Sequence, residues 1–164
     1  MPRLTSSIDP NSPGFKALDA HNRALRDELR AASAALGLAD RVEFTGALDI
    51  DGLADQYARA MCLVLPSRSE PWGLVVNEAL HHGCPVVVSE ACGCRPELVV
   101  EGRTGYAHPV DDLAEIQACL TRVTQQLADA AAVGRVCQQH MQAYTPARAA
   151  ANILSGCERI LRGD

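Results

Sequence analysis

Two short apolar runs constrain the fold of this chain more than any other feature. They are MCLVLPS at 61–67 and PVVVS at 85–89. The stretch between them predicts a helix at 73–82, which ends at Gly83. Strands that are apolar on both faces are typical of parallel sheets covered by helices, so we expect both strands to be fully buried. The chain is therefore predicted to be an α/β protein.

The rest of the sequence continues this alternation and predicts a single domain. We divide it into a loop at 1–14, a core at 15–145 and a C-terminal helix at 146–164. Within the core, strands are predicted at 41–46 and near GYAHP (105–109), with helices at 15–36, 49–60, 96–101, 111–127 and 129–143. Ligands of open α/β sheets bind beyond the carboxyl ends of the strands, in the loops that lead into the helices.

Composition excludes several classes of protein. With 164 residues, 48% of them hydrophobic and 21% charged, the chain suits one globular domain. A formal charge of -5 disfavours a nucleic-acid surface or a polybasic membrane anchor. No apolar run approaches the roughly 20 residues of a spanning helix, and no signal-peptide pattern is present, so we expect a cytoplasmic protein.

The cysteines raise the alternative of a zinc site. Seven cysteines is an odd number, which does not indicate a disulfide framework. The segment HHGCPVVVSEACGC (81–94) brings two histidines and three cysteines close together in sequence. However, Cys92 and Cys94 are separated by one residue, whereas zinc-binding pairs are usually two to four apart. We therefore expect buried thiols and no metal site.

The segment SEPWGLVVNEAL (69–80) contains the residues whose chemistry suits a ligand. The free N–H groups of Gly73, Leu74 and Val75, at the positive end of the predicted helix, would suit a phosphate. Ionised Glu70 and Glu78 accept hydrogen bonds only, so they suit a ribose diol or a sugar ring. Phosphate donors beside hydroxyl acceptors predict a nucleotide-sugar site.

A purely structural explanation of the same residues remains open. Acidic side chains near the start of a helix are stabilised by the helix dipole without any ligand. Trp72 can equally be a core anchor or a ligand wall. Spacing alone does not choose between these explanations.

The run from 66 to 106 resembles the donor-binding domain of retaining GT-B glycosyltransferases, the group 1 glycosyl transferase family. The matching motifs are Glu70 and Glu78 at Glu-x7-Glu spacing, EALHHGCPVV (78–87), the small-residue loop from Gly93 to Glu97, and EGRTGY (101–106). The likeness covers about residues 36–125, and the helices on both sides resemble the family less closely. The resemblance implies an incomplete Rossmann-like parallel sheet, the C-terminal half of a GT-B fold, covered by helices and followed by C-terminal helices.

The family resemblance also implies a role for each matching residue. Glu78 would bind the ribose of a nucleotide-diphosphate sugar, and Glu70 would be the catalytic residue that contacts the transferred sugar. The backbone at Gly73–Val75 would hold phosphates or hydroxyls, with the loop at 44–48 near the base. Glu97 is a further donor-binding candidate. Retaining transfer in this family needs no metal or other cofactor.

The resemblance further implies that parts of such an enzyme lie upstream of Met1. These are the acceptor domain, the first two strands of the donor domain and a basic pair that neutralises the diphosphate. Without those strands, RVEFTG (41–46) would lack its neighbour. We therefore expect a truncated or split glycosyltransferase that is inactive alone and is completed by an N-terminal partner polypeptide.

Two alternatives remain. The first is a non-catalytic module that binds a sugar nucleotide or docks a partner. The second is a sugar-nucleotide epimerase of the same fold, for which the sequence offers no catalytic groups.

Overall fold

The computed structural model describes residues 12–126 and 129–163. The chain divides into two compact units, Met1–Ala47 and Leu48–Asp164. Most of the predicted loop at 1–14 lies outside the described residues. The division into one domain with a loop, a core and a C-terminal helix stays a prediction.

The first unit consists of a long helix and an irregular segment. Helix α1 (Pro13–Ala35) is followed by Gly37, whose φ of 69° suits a helix terminus, and by a single 3-10 turn at Ala39–Arg41. The strand predicted at 41–46 is wrong, since these residues form no ladder with any described strand. A strand is stabilised by its neighbours, and the Val and Phe pattern of this segment cannot replace them.

The second unit carries the alternating elements that the sequence predicts. In chain order they are α2 (Ile50–Arg59), β1 (Leu63–Leu65), α3 (Leu74–His81), β2 (Val86–Ser89), α4 (Arg95–Leu98), β3 (Gly105–His108), α5 (Leu113–Gln126), α6 (Ala130–Met141) and α7 (Pro146–Arg162). Asp49 caps α2 by accepting the Gly52 N–H at 2.8 Å, and Thr145 caps α7 through the Arg148 N–H.

The three strands form one parallel sheet in the order β1-β2-β3. All four residues of β2 are buried, as its continuous apolar sequence predicts. Gly105 at the start of β3 admits no side chain, because a Cβ there would overlap the carbonyl oxygen of Val86. The mixed α/β class with a helix-covered parallel sheet is confirmed.

Strand β1 corrects one expectation. Its sequence predicts burial on both faces, yet Val64 is 38% exposed and Met61, just before the strand, is 62% exposed. Among the described residues β1 pairs only with β2, so its other edge has no neighbouring strand. Burial of a parallel strand depends on its neighbours as well as on its composition.

The core surrounds β2 and is built mainly by α3, α5 and α6. Gly83 and Gly134 let α3 and α6 approach closely, since a Cβ on Gly83 would lie 2.9 Å from the Gly134 Cα. The core is completed by buried valines of β2, by Val76, Ala79 and Leu80 of α3, and by Cys137 and Met141 of α6. Each fully buried valine, leucine or methionine side chain contributes about 1.5–3 kcal/mol. In the described ranges, no helix has the length and apolarity needed to cross a bilayer.

Candidate functional site

The start of α3 is built around Gly73. This residue adopts φ 95° and ψ 63°, a left-handed conformation that favours glycine. A Cβ there would lie 3.3 Å from a Leu65 methyl and 3.4 Å from the Glu70 Cγ. Glycine at this position is therefore favoured by the left-handed backbone, and an added methyl would also displace the neighbouring side chains slightly.

The first turn of α3 presents amide groups without a side-chain cap. Val76 N–H bonds the Gly73 carbonyl at 2.9 Å, and no described side chain caps the helix. The amides of Leu74 and Val75 are the orphan donors that any helix N-terminus leaves. Together with the helix dipole, they can bind an anion or a hydroxyl group.

Glu70 lies in the loop between β1 and α3 and is half-buried. Its Oε1 accepts the Trp72 N–H at 3.3 Å, which turns the carboxylate back toward the helix start. Glu70 therefore lies beside Gly73, as the sequence predicts.

The loop at 69–73 is joined to the following strand-to-helix loop by main-chain hydrogen bonds. Gly93 N–H donates to the Glu70 carbonyl at 2.9 Å, and Cys94 N–H donates to the Trp72 carbonyl at 3.0 Å. A Cβ on Gly93 would overlap the Pro71 carbonyl oxygen, so only glycine allows this approach. The two loops beyond the carboxyl ends of β1 and β2 thus form one connected surface.

Glu78 lies on the exposed face of α3. Leu74 and Val75 are four and three residues before it, which places all three on the same side of the helix. Tyr57 of α2 donates its hydroxyl to Glu78 Oε2 at 3.2 Å. Burial and the nearby Glu78 carboxylate raise the pKa of Tyr57 to about 12, so the phenol stays protonated and remains a donor.

Sequence reasoning did not identify Tyr57 as part of this site. The hydrogen bond joins residues 21 positions apart, on different helices. No local pattern marks such a pair. That Glu70 and Glu78 line one shared cavity stays a prediction.

Trp72 is partly a structural anchor. Its ring packs against the buried core, and its Nε1–H donates to the Asn77 side-chain oxygen at 2.8 Å. This contact ties the loop to the second turn of α3. Trp72 is only half-buried, so part of its surface remains available to a ligand.

The main-chain carbonyl of Glu97 is hydrogen-bonded to α6 and to the segment after it. Its carbonyl oxygen accepts hydrogen bonds from His140 Nε2 at 2.8 Å and from the Tyr144 hydroxyl at 3.1 Å. The Glu97 side chain is exposed beside a cavity of about 430 Å³ that the start of α7 also lines. A donor-binding role for Glu97 stays a prediction.

Arg68 is a cation at the carboxyl edge of the sheet. Its Nε lies 2.9 Å and 3.0 Å from the two carboxylate oxygens of Asp111. Both side chains are exposed, so the pair contributes little to stability. The contact links the loops after β1 and β3.

The cysteines do not form a zinc site in the described part of the chain, where no cluster of three or more His, Cys, Asp or Glu side chains could hold a metal. Cys84 precedes β2, whereas Cys92 and Cys94 follow it, so the strand separates them. Burial raises the pKa of Cys94 to about 11, with Cys92 and Glu70 adding to the effect. Such a thiol is protonated and unreactive at neutral pH.

A family model described as "Glycosyl transferases group 1" matches residues 19–126. Among curated proteins, the chain is 34% identical over 128 residues to the D-inositol 3-phosphate glycosyltransferase of Streptomyces avermitilis. That match covers 76% of the chain but 27% of the relative.

Two solved structures have a similar fold. The sucrose-phosphate synthase of Thermosynechococcus elongatus matches with a TM-score of 0.68 at 31% identity, covering 85% of this chain and 35% of that protein. Anabaena HepE in complex with UDP matches with a TM-score of 0.63 at 29% identity, covering 83% and 38%. The chain thus spans well under half the length of each of these relatives.

Proposed function

Because the chain belongs to the group 1 glycosyl transferase family, we propose that it is the donor-binding part of a retaining glycosyltransferase. Its ligand is a nucleotide-diphosphate sugar, held at the start of α3. HepE, which shares this fold, has been crystallised with UDP, which supports a uridine nucleotide as the first ligand to test.

One observation carries the proposal: the uncapped N-terminus of α3 lies next to Glu70 and one helical turn before Glu78. The amides of Leu74 and Val75 supply donors for phosphate or sugar oxygens. The two carboxylates supply acceptors for hydroxyl groups. A nucleotide sugar needs both kinds of partner within one molecule.

The proposal gives each carboxylate a distinct role. Glu78 accepts a hydrogen bond from the Tyr57 hydroxyl. It would also accept hydrogen bonds from the ribose diol. Glu70 would contact the transferred sugar and stabilise positive charge that develops at its anomeric carbon in the transition state. Transfer would proceed with retention and without a metal ion.

The chain would be inactive without an N-terminal domain that binds the acceptor. The edge of β1 that faces away from β2 supports this proposal, because it has no described partner and Val64 is exposed beside it. We propose that a polypeptide bearing the acceptor domain supplies strands to this edge. The same part would carry the cations that offset the charge of the diphosphate.

The direct test is calorimetric titration of the 164-residue chain with UDP, together with Glu78→Gln. A hydrogen bond to a charged group contributes about 1.5–3 kcal/mol, so the variant should bind about 10–100-fold more weakly. Glu158→Gln is the matched control, since Glu158 is an exposed carboxylate on α7, paired with Arg162 at 3.6 Å.

Two results would contradict the proposal. Saturable UDP binding that is equally strong in the Glu78→Gln and Glu158→Gln chains would remove Glu78 from the site. Turnover of a UDP-sugar by the purified chain would refute its inactivity in isolation. Turnover that appears only with an N-terminal partner, and is lost in Glu70→Gln, is the expected outcome.

A second candidate function is a non-catalytic module that docks a partner. It is favoured by α7, which has no buried residue and exposes Ile153, Leu154, Ile160 and Leu161. Partner binding that is unaffected by both Glu70→Gln and Glu78→Gln, without detectable nucleotide binding, would support this function instead.

A further inference from the structure

A cavity of about 560 Å³ opens where β1 and β2 begin. Its walls are the last turn of α2, the end of α3 and the first half of α6. The volume lies within the range of small-molecule sites. None of the residues proposed to contact the donor lines this cavity, although Tyr57, whose hydroxyl bonds Glu78, lies in its wall.

The lining of this cavity is basic in an acidic protein. Arg59, Arg135 and His82 line it, and no aspartate or glutamate does, although the chain has a formal charge of -5. Within the described ranges neither arginine forms an ion pair. The structure thus gathers two uncompensated guanidinium groups at one opening, which favours an anionic ligand.

His82 is oriented by its own contacts. Its Nδ1 lies 2.8 Å from the Glu78 carbonyl oxygen, and because a carbonyl only accepts, Nδ1 donates. The ring stacks on Tyr57 with centroids 5.6 Å apart and planes at 26°. These contacts leave Nε2 as the ring nitrogen that is available to a ligand.

The remainder of the lining is mainly apolar. Met61 and Val133 contribute the larger aliphatic side chains, beside Tyr57, Pro85 and several alanines, and Thr124 and Gln138 add polar groups. Met61 is 62% exposed. An apolar wall beside a pair of arginines suits a molecule with one charged end and one hydrophobic or ring-shaped end.

We propose that this cavity binds a small organic phosphate. The phosphate would lie between the Arg59 and Arg135 guanidinium groups, and the body of the ligand would pack on Met61 and Val133. Arginine is suited to this role because its planar fork donates two hydrogen bonds to one phosphate group.

The test is titration of the 164-residue chain with phenyl phosphate, followed by amide NMR, with phenol as the uncharged match. We expect saturable shifts confined to the lining segments 57–61, 82–83 and 130–138 and to Thr124, and at least tenfold weaker binding of phenol. Arg59→Gln and Arg135→Gln should each weaken binding about five- to tenfold. Arg41→Gln, an exposed arginine outside the cavity, should leave it unchanged.

A variant that fills the cavity tests the proposal without changing the charge of the lining. Ala131 is exposed on the cavity wall, so Ala131→Phe should fold normally, as circular dichroism would verify, and should block phenyl phosphate. Absence of saturable binding, or equal binding by the wild-type, Ala131→Phe and Arg59→Gln chains, would overturn the proposal. None of these outcomes depends on whether UDP binds near α3, so the two proposals fail separately.

Discussion

Replacement of Gly93 by alanine would test the contact between the two loops of the proposed donor site. A Cβ at this position would overlap the Pro71 carbonyl oxygen and lie 2.9 Å from the Pro71 carbonyl carbon. An ordinary contact would be restored only if the loops separated by about 1.4 Å or more. That movement would stretch the bonds from Gly93 N–H to Glu70 and from Cys94 N–H to Trp72, now 2.9 Å and 3.0 Å, beyond hydrogen-bonding distance.

The cost can be estimated from these contacts. Two lost hydrogen bonds contribute about 1 kcal/mol each, and forced overpacking costs about 1–3 kcal/mol. We therefore expect Gly93→Ala to lower the free energy of unfolding by about 3–5 kcal/mol, a large part of the 5–15 kcal/mol typical of a domain. Binding of UDP should fall with it, because the loop that holds Glu70 would be displaced.

Urea unfolding followed by tryptophan fluorescence measures this directly. Trp72 is the single tryptophan of the chain and lies in the affected loop. The matched control is Gly156→Ala in α7, where nothing lies within 4 Å of the added methyl, and alanine should be neutral or stabilising by up to about 1 kcal/mol. A Gly93→Ala chain that unfolds at the wild-type urea concentration would refute the argument.

Three further outcomes are expected. At pH 8, iodoacetamide should modify exposed Cys157 well before buried Cys94, whose pKa is raised to about 11, as mass spectrometry of peptides would show; equal rates would contradict the burial of Cys94. Tyr57→Phe should lower stability by about 1 kcal/mol through loss of the bond to Glu78, with calorimetric melting as the measurement and an unchanged melting temperature as the contrary result. Because burial raises the pKa of Tyr57 in the folded chain from 10.0 to about 12, its contribution to stability is present below pH 10 and is lost as the pH rises toward 12. Between pH 10 and pH 12, the urea midpoint of the wild type should therefore fall more steeply than that of Tyr57→Phe. An equal fall in both chains would argue against the raised pKa of Tyr57.

Local patterns were enough to predict most of the second unit. Apolar runs, glycine stops and capping residues are effects within a few residues, so they located β2, α3 and the glycine at the start of α3. The same reasoning predicted that Glu70 lies beside Gly73, since both belong to one short loop.

Predictions that depended on contacts between residues far apart in the sequence were less accurate. RVEFTG has the composition of a strand but forms no ladder with the described strands, and β1 has a buried sequence but an exposed edge. Strand formation depends on hydrogen bonds to another segment, which a local pattern cannot supply. Tyr57 behind Glu78 was missed for the same reason.

By itself, the sequence determined the α/β class, the order of the elements in the second unit, and the family to which the chain belongs. These follow from the periodicity of apolar residues and from motifs that occupy consecutive positions. Only the tertiary structure decided that Tyr57 holds Glu78, that Gly93 joins two loops, and that Arg59 and Arg135 share a basic cavity. The physical reason is that side-chain contacts between separate helices and loops depend on packing in three dimensions, and sequence spacing does not encode that packing locally.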